Sequence, residues 1–268
     1  MIAALIPALL LAAAPGAEPA QPGPADGCSL PSLRAGPPPF RVGEVLAYDF
    51  DVMGIVKAGT LSASVEAPIS RGTLLPLRAR VRNTSVFAKV RRVRGFALSW
   101  VDATTLRPQR YLDEVDEDGV RKTTDTRLDT PGPITMSWAF GERKGTSTLQ
   151  RERDVIDLLA LVYYLRAAAL SPGREFCADL VANRRFWRMR AEVAPGGERV
   201  QTPAGSFDTF RVDAILTRAD GSGGKRPIHL WYSRDERHLP VAAVSEIDLG
   251  PVRAVLARAS ANGPAPGR

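Results

Sequence analysis

The chain has 268 residues, 44% hydrophobic and 24% charged, with 36 Lys and Arg against 29 Asp and Glu and a formal net charge of +7. That composition suits one large globular domain or two small ones. The positive charge is almost all Arg and reads as spread among acids rather than gathered into a stripe with aromatics, which argues against a nucleic-acid binder.

The chain opens on "MIAALIPALLLAAAPGA", an apolar run of about a dozen residues, too short for a permanent anchor and suited to the h-region of a secretory signal over residues 1–17. Small residues at Ala12 and Ala14 fit cleavage after Ala14, although the n-region holds no Lys or Arg. A cytosolic chain with a misplaced start is the alternative. Residues 18–39 are dense in Pro, Gly and Ala and are expected to form a linker. The first 27 residues hold two acids, Glu18 and Asp26, and no Lys or Arg, so the chain from Cys28 carries +9. A basic surface of that kind attracts lipid headgroups or polyanionic glycans. Cys28 lies too far from the apolar run to be a lipid-anchored cysteine. With Cys177 it makes the only two cysteines, and in an exported chain two cysteines imply a Cys28–Cys177 bridge, the alternative being two free thiols.

From Val42 onward period two dominates. In "VLAYDFDV" Leu46, Tyr48, Phe50 and Val52 share one face and Ala47, Asp49 and Asp51 the other, the pattern of a half-buried strand. "AGTLSASVE" and "LPLRARVRN" repeat the alternation, with Leu61, Ala63 and Val65, then Leu77, Ala79 and Val81, facing inward. "SVFAKVRRV" reads as a helical turn before the strand "GFALSWVD". "RPQRYLDEV" and "VRKTTDTRLD" form a hairpin around Asp118-Gly119, expected to project from the core or sit at an edge because its arms are polar. "DVIDLLALVYYLRAAALSPG" predicts a helix from Asp154 to Leu170, with Asp154 as N-cap, Asp157 at N3 and Pro172-Gly173 as the stop. Six further strands follow, divided by turns at "VAPGGE", "TPAGS", "ADGSGG" and "DLGP". The fold class expected is mainly β: a curved antiparallel sheet or open barrel of about ten strands closed by one main α-helix. It forms a single domain over 40–260, with residues 261–268 as a disordered tail.

Catalytic signals are weak. The only histidines are His229, alternating with Trp231 in a strand, and His238 in a loop, and no G-x-S-x-G occurs. Two distant cysteines and two histidines nine residues apart give no metal-ligand spacing, and "DEVDEDG" lacks the ligand ladder of a calcium loop. Asp49 and Asp51 occupy a solvated strand face. No cofactor is expected. The aromatic residues Tyr48, Phe50, Trp100, Trp138, Phe186, Trp187 and Trp231 all fall in strands, and a curved sheet would turn many of them toward one concavity suited to an acyl chain. The alternative is that they fill the core.

Four fragments in order, "FRVGEVLAYDFDVMGIVKAG", "DVIDLLALVYYLR", "QTPAGSFDTFRV" and "LWYSRDERHLPV", resemble the pattern of a family of exported bacterial envelope proteins catalogued as a domain of unknown function. Met53 departs from it, where an aromatic is expected. The resemblance implies an envelope location and a β-rich domain, and it brings no reaction. It marks Gly43, Glu44, Tyr48, Gly59, Asp157, Tyr164, Arg166, Thr202, Pro203, Gly205, Phe207, Trp231, Asp235 and Pro240. Most suit turns, strand starts or core, while Glu44 and Arg166 are charged residues beside apolar ones. An ion pair of Arg166 with Glu44 or with Asp235 would lock helix to sheet, and a ligand carboxylate or phosphate held by Arg166 is the alternative.

The function expected is a non-enzymatic periplasmic or envelope protein, soluble or peripherally attached, that binds a lipid-like or envelope-polymer ligand through Tyr48, Phe50, Trp100, Arg166, Trp187 and Trp231. The alternatives are a scaffolding module with an envelope protein as partner, and a hydrolase using Glu44 or Asp235.

Overall fold

A computed structural model describes residues 28–52, 54, 56–247 and 250–260. The proposed signal segment, the linker up to residue 27, Met53 and the C-terminal tail lie outside the described residues. Fifteen strands form in chain order, against the ten expected: β1 Val45–Val52, β2 Val56–Val65, β3 Leu74–Asn83, β4 Val93–Asp102, β5 Pro108–Glu117, β6 Val120–Arg127, β7 Ile134–Phe140, β8 Arg143–Leu149, β9 Val155–Asp157, β10 Glu175–Ala182, β11 Arg185–Thr202, β12 Gly205–Arg218, β13 Arg226–Ser233, β14 Pro240–Ile247 and β15 Gly250–Ser260. Among the described residues one α-helix, α1 Leu158–Ala167, lies between β9 and β10.

All fifteen strands belong to one sheet of order β8-β7-β6-β5-β4-β3-β2-β1-β15-β14-β13-β12-β11-β10-β9. Each neighbouring pair is antiparallel except β9 with β10, which is parallel. The edges β8 and β9 do not pair, so the sheet is open. It nevertheless rolls up. Val155, Val181 and Phe186 from the β9–β11 edge pack on Tyr111, Ile134, Met136 and Leu149 of the β5–β8 half. Helix α1 fills the inside of the roll, burying Leu161, Tyr163, Tyr164 and Leu165 against Val65, Leu77, Leu180 and Trp187.

The alternation in β1 survives: Leu46, Tyr48 and Val52 are buried, while Asp49 pairs with Lys57 at 2.9 Å and Asp51 with Arg253 at 3.0 Å. The Asp118-Gly119 turn joins β5 to β6 with positive φ at both residues, 53° and 84°, as a two-residue hairpin demands. This hairpin is flanked by β4 and β7 in mid-sheet, not at an edge. Its polar arms are neutralised across strands, as in Arg110–Asp125 at 2.7 Å.

Three boundaries depart from the expected ones. The helix starts at Leu158 because Asp157, not Asp154, is the N-cap, accepting from the Ala160 N–H at 2.8 Å. Val155–Asp157 instead extends and pairs with β10. The "VAPGGE" segment is no turn: β11 runs through it, and a bulge between Val193 and Gly197 absorbs the extra residues. Residues 28–39, expected as linker, lie on the body. Cys28 is bridged to Cys177, Leu33 pairs with Ala168, Leu30 is buried, and Arg34 N–H donates to Ala167 O at 2.9 Å.

Candidate functional site

Three of the four signature fragments meet at one buried ion pair. Arg166, on the last turn of α1, is wholly buried, and Glu44, just before β1, is 9% exposed. Arg166 Nη1 donates to Glu44 Oε1 at 2.5 Å and Nη2 to Oε2 at 3.0 Å. Its other donors reach the carbonyls of Arg237 and Pro39 at 3.2 to 3.4 Å. Its plane lies 5.1 Å from the Phe40 ring and 5.3 Å from that of Tyr163. A buried guanidinium engaged at all three nitrogens ties helix, strand and loop together.

Asp235 does not reach Arg166 with its carboxylate. It accepts from Ser233 Oγ at 2.7 Å and from Arg237 Nη2 at 2.6 Å, shaping the loop that offers the Arg237 carbonyl. Tyr48 donates to Pro240 O at 2.9 Å and Tyr164 to Pro31 O at 2.8 Å. Gly43, at φ 84°, makes the bend before Glu44. Gly59 leaves room for the Phe50 ring, because a Cβ there would stand 2.5 Å from Phe50 Cζ and 2.4 Å from Arg82 O. Pro203 and Gly205 turn β11 into β12, and Phe207 packs with Tyr48.

The aromatic residues do not converge on one concavity. Tyr48 lies in the Leu46–Leu256 cluster, Phe50 over Gly59, and Trp187 in the main core with its N–H on Ala182 O at 3.1 Å. Trp100 alternates with buried Ser99 and Val101 and so faces away from the core, under Arg110 at 5.5 Å. Trp231, on the face opposite Leu230, donates to Glu198 at 2.9 Å. Trp138 covers Gly145. His229 contacts Asp213 at 2.5 Å, and His238 stands edge-on to Phe210.

A concavity lies elsewhere on the inner face, and the strand register explains it. Ala63, Ala79 and Ala97 stand opposite one another across β2, β3 and β4, and Gly95 stands between Val81 and Val115 in the next row. Where Ala79 faces Ala97 the layer is left unfilled, whereas Ala63 is buried in the main core. The result is a cavity of about 350 Å³, walled by Leu61, Ala79, Val81, Ala97 and Val115, with Leu158 and Ala182 across from them. Five charged residues also line it: Arg80, Asp113, Glu117, Lys122 and Arg184.

The polar side of this cavity is perturbed. Burial raises the Asp113 carboxyl above its usual range, opposed by the hydroxyl of Tyr111, which donates to it at 2.9 Å. Burial also pulls Arg184 down from its usual value, opposed by Asp113. Arg184 lies over Phe140 at 5.1 Å, and its Nη1 is buried with no hydrogen-bond partner among the described residues. Nearby, Asp157 is fully buried, accepts from Ser99 Oγ at 2.6 Å, and is pushed by burial to about 7. No period-two signal marks this site. It comes from non-local register, which sets Ala79 of β3 beside Ala97 of β4.

A family model described as "Protein of unknown function (DUF3108)" matches residues 47–257. No curated protein matches the chain. Among solved structures, a β-barrel-like protein of domain of unknown function DUF1849 from Brucella abortus superposes with a TM-score of 0.57 at 12% identity, covering 82% of this chain and 98% of its own. A protein provisionally described as a lipoprotein from Parabacteroides distasonis gives 0.36 at 10% identity, covering 85% of this chain and 100% of its own. One provisionally described as exported, with a YmcC-like fold, from Bacteroides fragilis gives 0.31 at 10%, covering 86% and 100%. The first supports the β-barrel-like fold; the other two superpose too loosely to carry an argument.

Proposed function

The chain belongs to the DUF3108 family of proteins of unknown function, and on that premise we propose that it is an exported, non-enzymatic envelope protein that holds a lipid-like ligand inside its rolled sheet. The observation that carries this reading is the 350 Å³ inner cavity, apolar on the Leu61–Val81–Val115 side and bounded by Arg184, whose buried Nη1 lacks a partner among the described residues. A buried donor without an acceptor is costly, and a ligand oxygen would satisfy it. The ligand class that fits is an amphiphile with an apolar chain and an anionic or carbonyl end. Export is supported by the apolar N-terminal run and by the Cys28–Cys177 bridge, which suits an oxidising compartment.

A scaffolding role is the second reading, favoured by the convergence of the signature fragments on the Arg166–Glu44 lock rather than on the cavity. The hydrolase reading loses ground because both candidate carboxylates are engaged, Glu44 by Arg166 and Asp235 by Arg237 and Ser233. Native mass spectrometry of the protein purified from its own membrane-bearing host tests the assignment. A co-purifying amphiphile, released on denaturation, is the expected result. A clean apo mass together with a stoichiometric envelope protein would favour the scaffold instead.

A further inference from the structure

The hairpin of β3 and β4 carries a second feature that the cavity does not explain. From Arg80 to Gly95 its sequence is "RVRNTSVFAKVRRVRG", sixteen residues with six cations and no acid. At its tip a short 3₁₀ turn, Phe87–Lys89, leaves Val86 67% and Val90 74% exposed, the two most exposed large hydrophobic residues described. Below the tip, Arg82 and Arg94 stand directly opposite each other across the two strands. Like charges in that position repel, a cost that a bound anion would remove. Acids from the next hairpin offset part of the charge, through Arg91 with Glu117 at 2.5 Å and Arg94 with Asp116 at 3.7 Å. Lys89 and Arg92 have no ion-pair partner among the described residues.

Exposed aliphatic side chains beside two unneutralised cations, Lys89 and Arg92, match one kind of surface, an anionic lipid bilayer. The valines enter the acyl boundary while the cations meet phosphates. The tip is fixed to the neighbouring hairpin, because Asp118 N–H donates to Arg92 O at 2.9 Å and Asp118 Oδ1 accepts from Arg92 N–H at 2.7 Å. That hairpin bears Glu117 and Lys122 of the cavity wall. We infer that the Val86–Val90 tip is a membrane-docking element selective for anionic lipid. The inference does not depend on cavity occupancy, since docking uses only the outer hairpin.

Vesicle flotation tests it directly. The purified protein is mixed with phosphatidylglycerol-containing vesicles or with pure phosphatidylcholine vesicles at low and physiological ionic strength. Flotation with the anionic vesicles only, weakening with salt, is expected. Val86→Asp with Val90→Asp should abolish it, and Lys89→Glu with Arg92→Glu should reduce it at least tenfold, with melting temperatures unchanged because all four side chains are peripheral. Ala97→Phe, which fills the cavity, should float like wild type, so docking and ligand binding fail separately. Equal flotation of the Val86/Val90 variant and wild type, equal flotation with both vesicle types, or none with the anionic vesicles would overturn the inference.

Discussion

Arg166 and Glu44 form a two-pronged buried ion pair, at 2.5 and 3.0 Å, that joins residues 122 positions apart in the chain. Removing one partner leaves an uncompensated buried charge, which costs about 3–5 kcal/mol. Arg166→Met and Glu44→Leu should each lower unfolding free energy by that order, and the double variant by clearly less than their sum. Urea denaturation of the four proteins measures the coupling. Additive losses would show that the pair does not act as a unit.

Asp157 gives the protein an unusual pH response. Its carboxyl is pushed by burial from the ordinary 3.8 to about 7, so the folded state holds a proton that the unfolded state releases. Its contribution is therefore present below pH 3.8 and is lost as pH rises through about 7. Asp179, raised by burial to about 6, acts in the same direction. Asp102, held low by the backbone N–H of Thr105, acts in the opposite direction only in more acid solution. Unfolding free energy is expected to fall between pH 4 and pH 7, by up to about 4 kcal/mol from Asp157. Asp157→Asn should flatten that decline. An identical slope in the variant would contradict the assignment.

The Cys28–Cys177 bridge closes a loop of sequence separation 149 and holds residues 28–34 on the body. Reduction, or Cys28→Ser with Cys177→Ser, should lower stability by about 2–5 kcal/mol. Limited proteolysis should then cut first near Ser32 to Gly36. Unchanged melting under reducing conditions would show that the bridge adds little.

The sequence made the elements with strong alternation legible. β1 was readable because Leu46, Tyr48 and Val52 meet the core while Asp49 and Asp51 meet water and cations. The β5–β6 turn was readable because Asp118-Gly119 has few alternatives to a tight turn. β8 was hard to read because Arg, Lys, Thr and Ser fill this edge strand and only Leu149 is buried, whereas β7 does alternate, with Ile134 and Met136 buried and Thr135 and Ser137 exposed. The start of α1 was ambiguous because Asp154 and Asp157 both suit an N-cap, and only the pairing of Val155–Asp157 with β10 decides between them. The Glu44–Arg166 pairing was foreseeable as one of two options, since both residues are charges set among apolar neighbours. The cavity was not readable, since Ala79 and Ala97 are unremarkable singly and line up only through register. The cationic tip was visible as sixteen acid-free residues, and its weight was lost when charge was averaged along the chain.

The inner cavity is proposed to hold an amphiphile. Titration of an environment-sensitive fluorescent fatty acid into delipidated protein tests it most directly, with Ala97→Phe as the variant that fills the space facing Leu158. Saturable binding to wild type, weakened about tenfold or more in Ala97→Phe at equal melting temperature, is the result expected. No saturable binding to wild type, or equal affinity in a folded Ala97→Phe protein, would contradict the account.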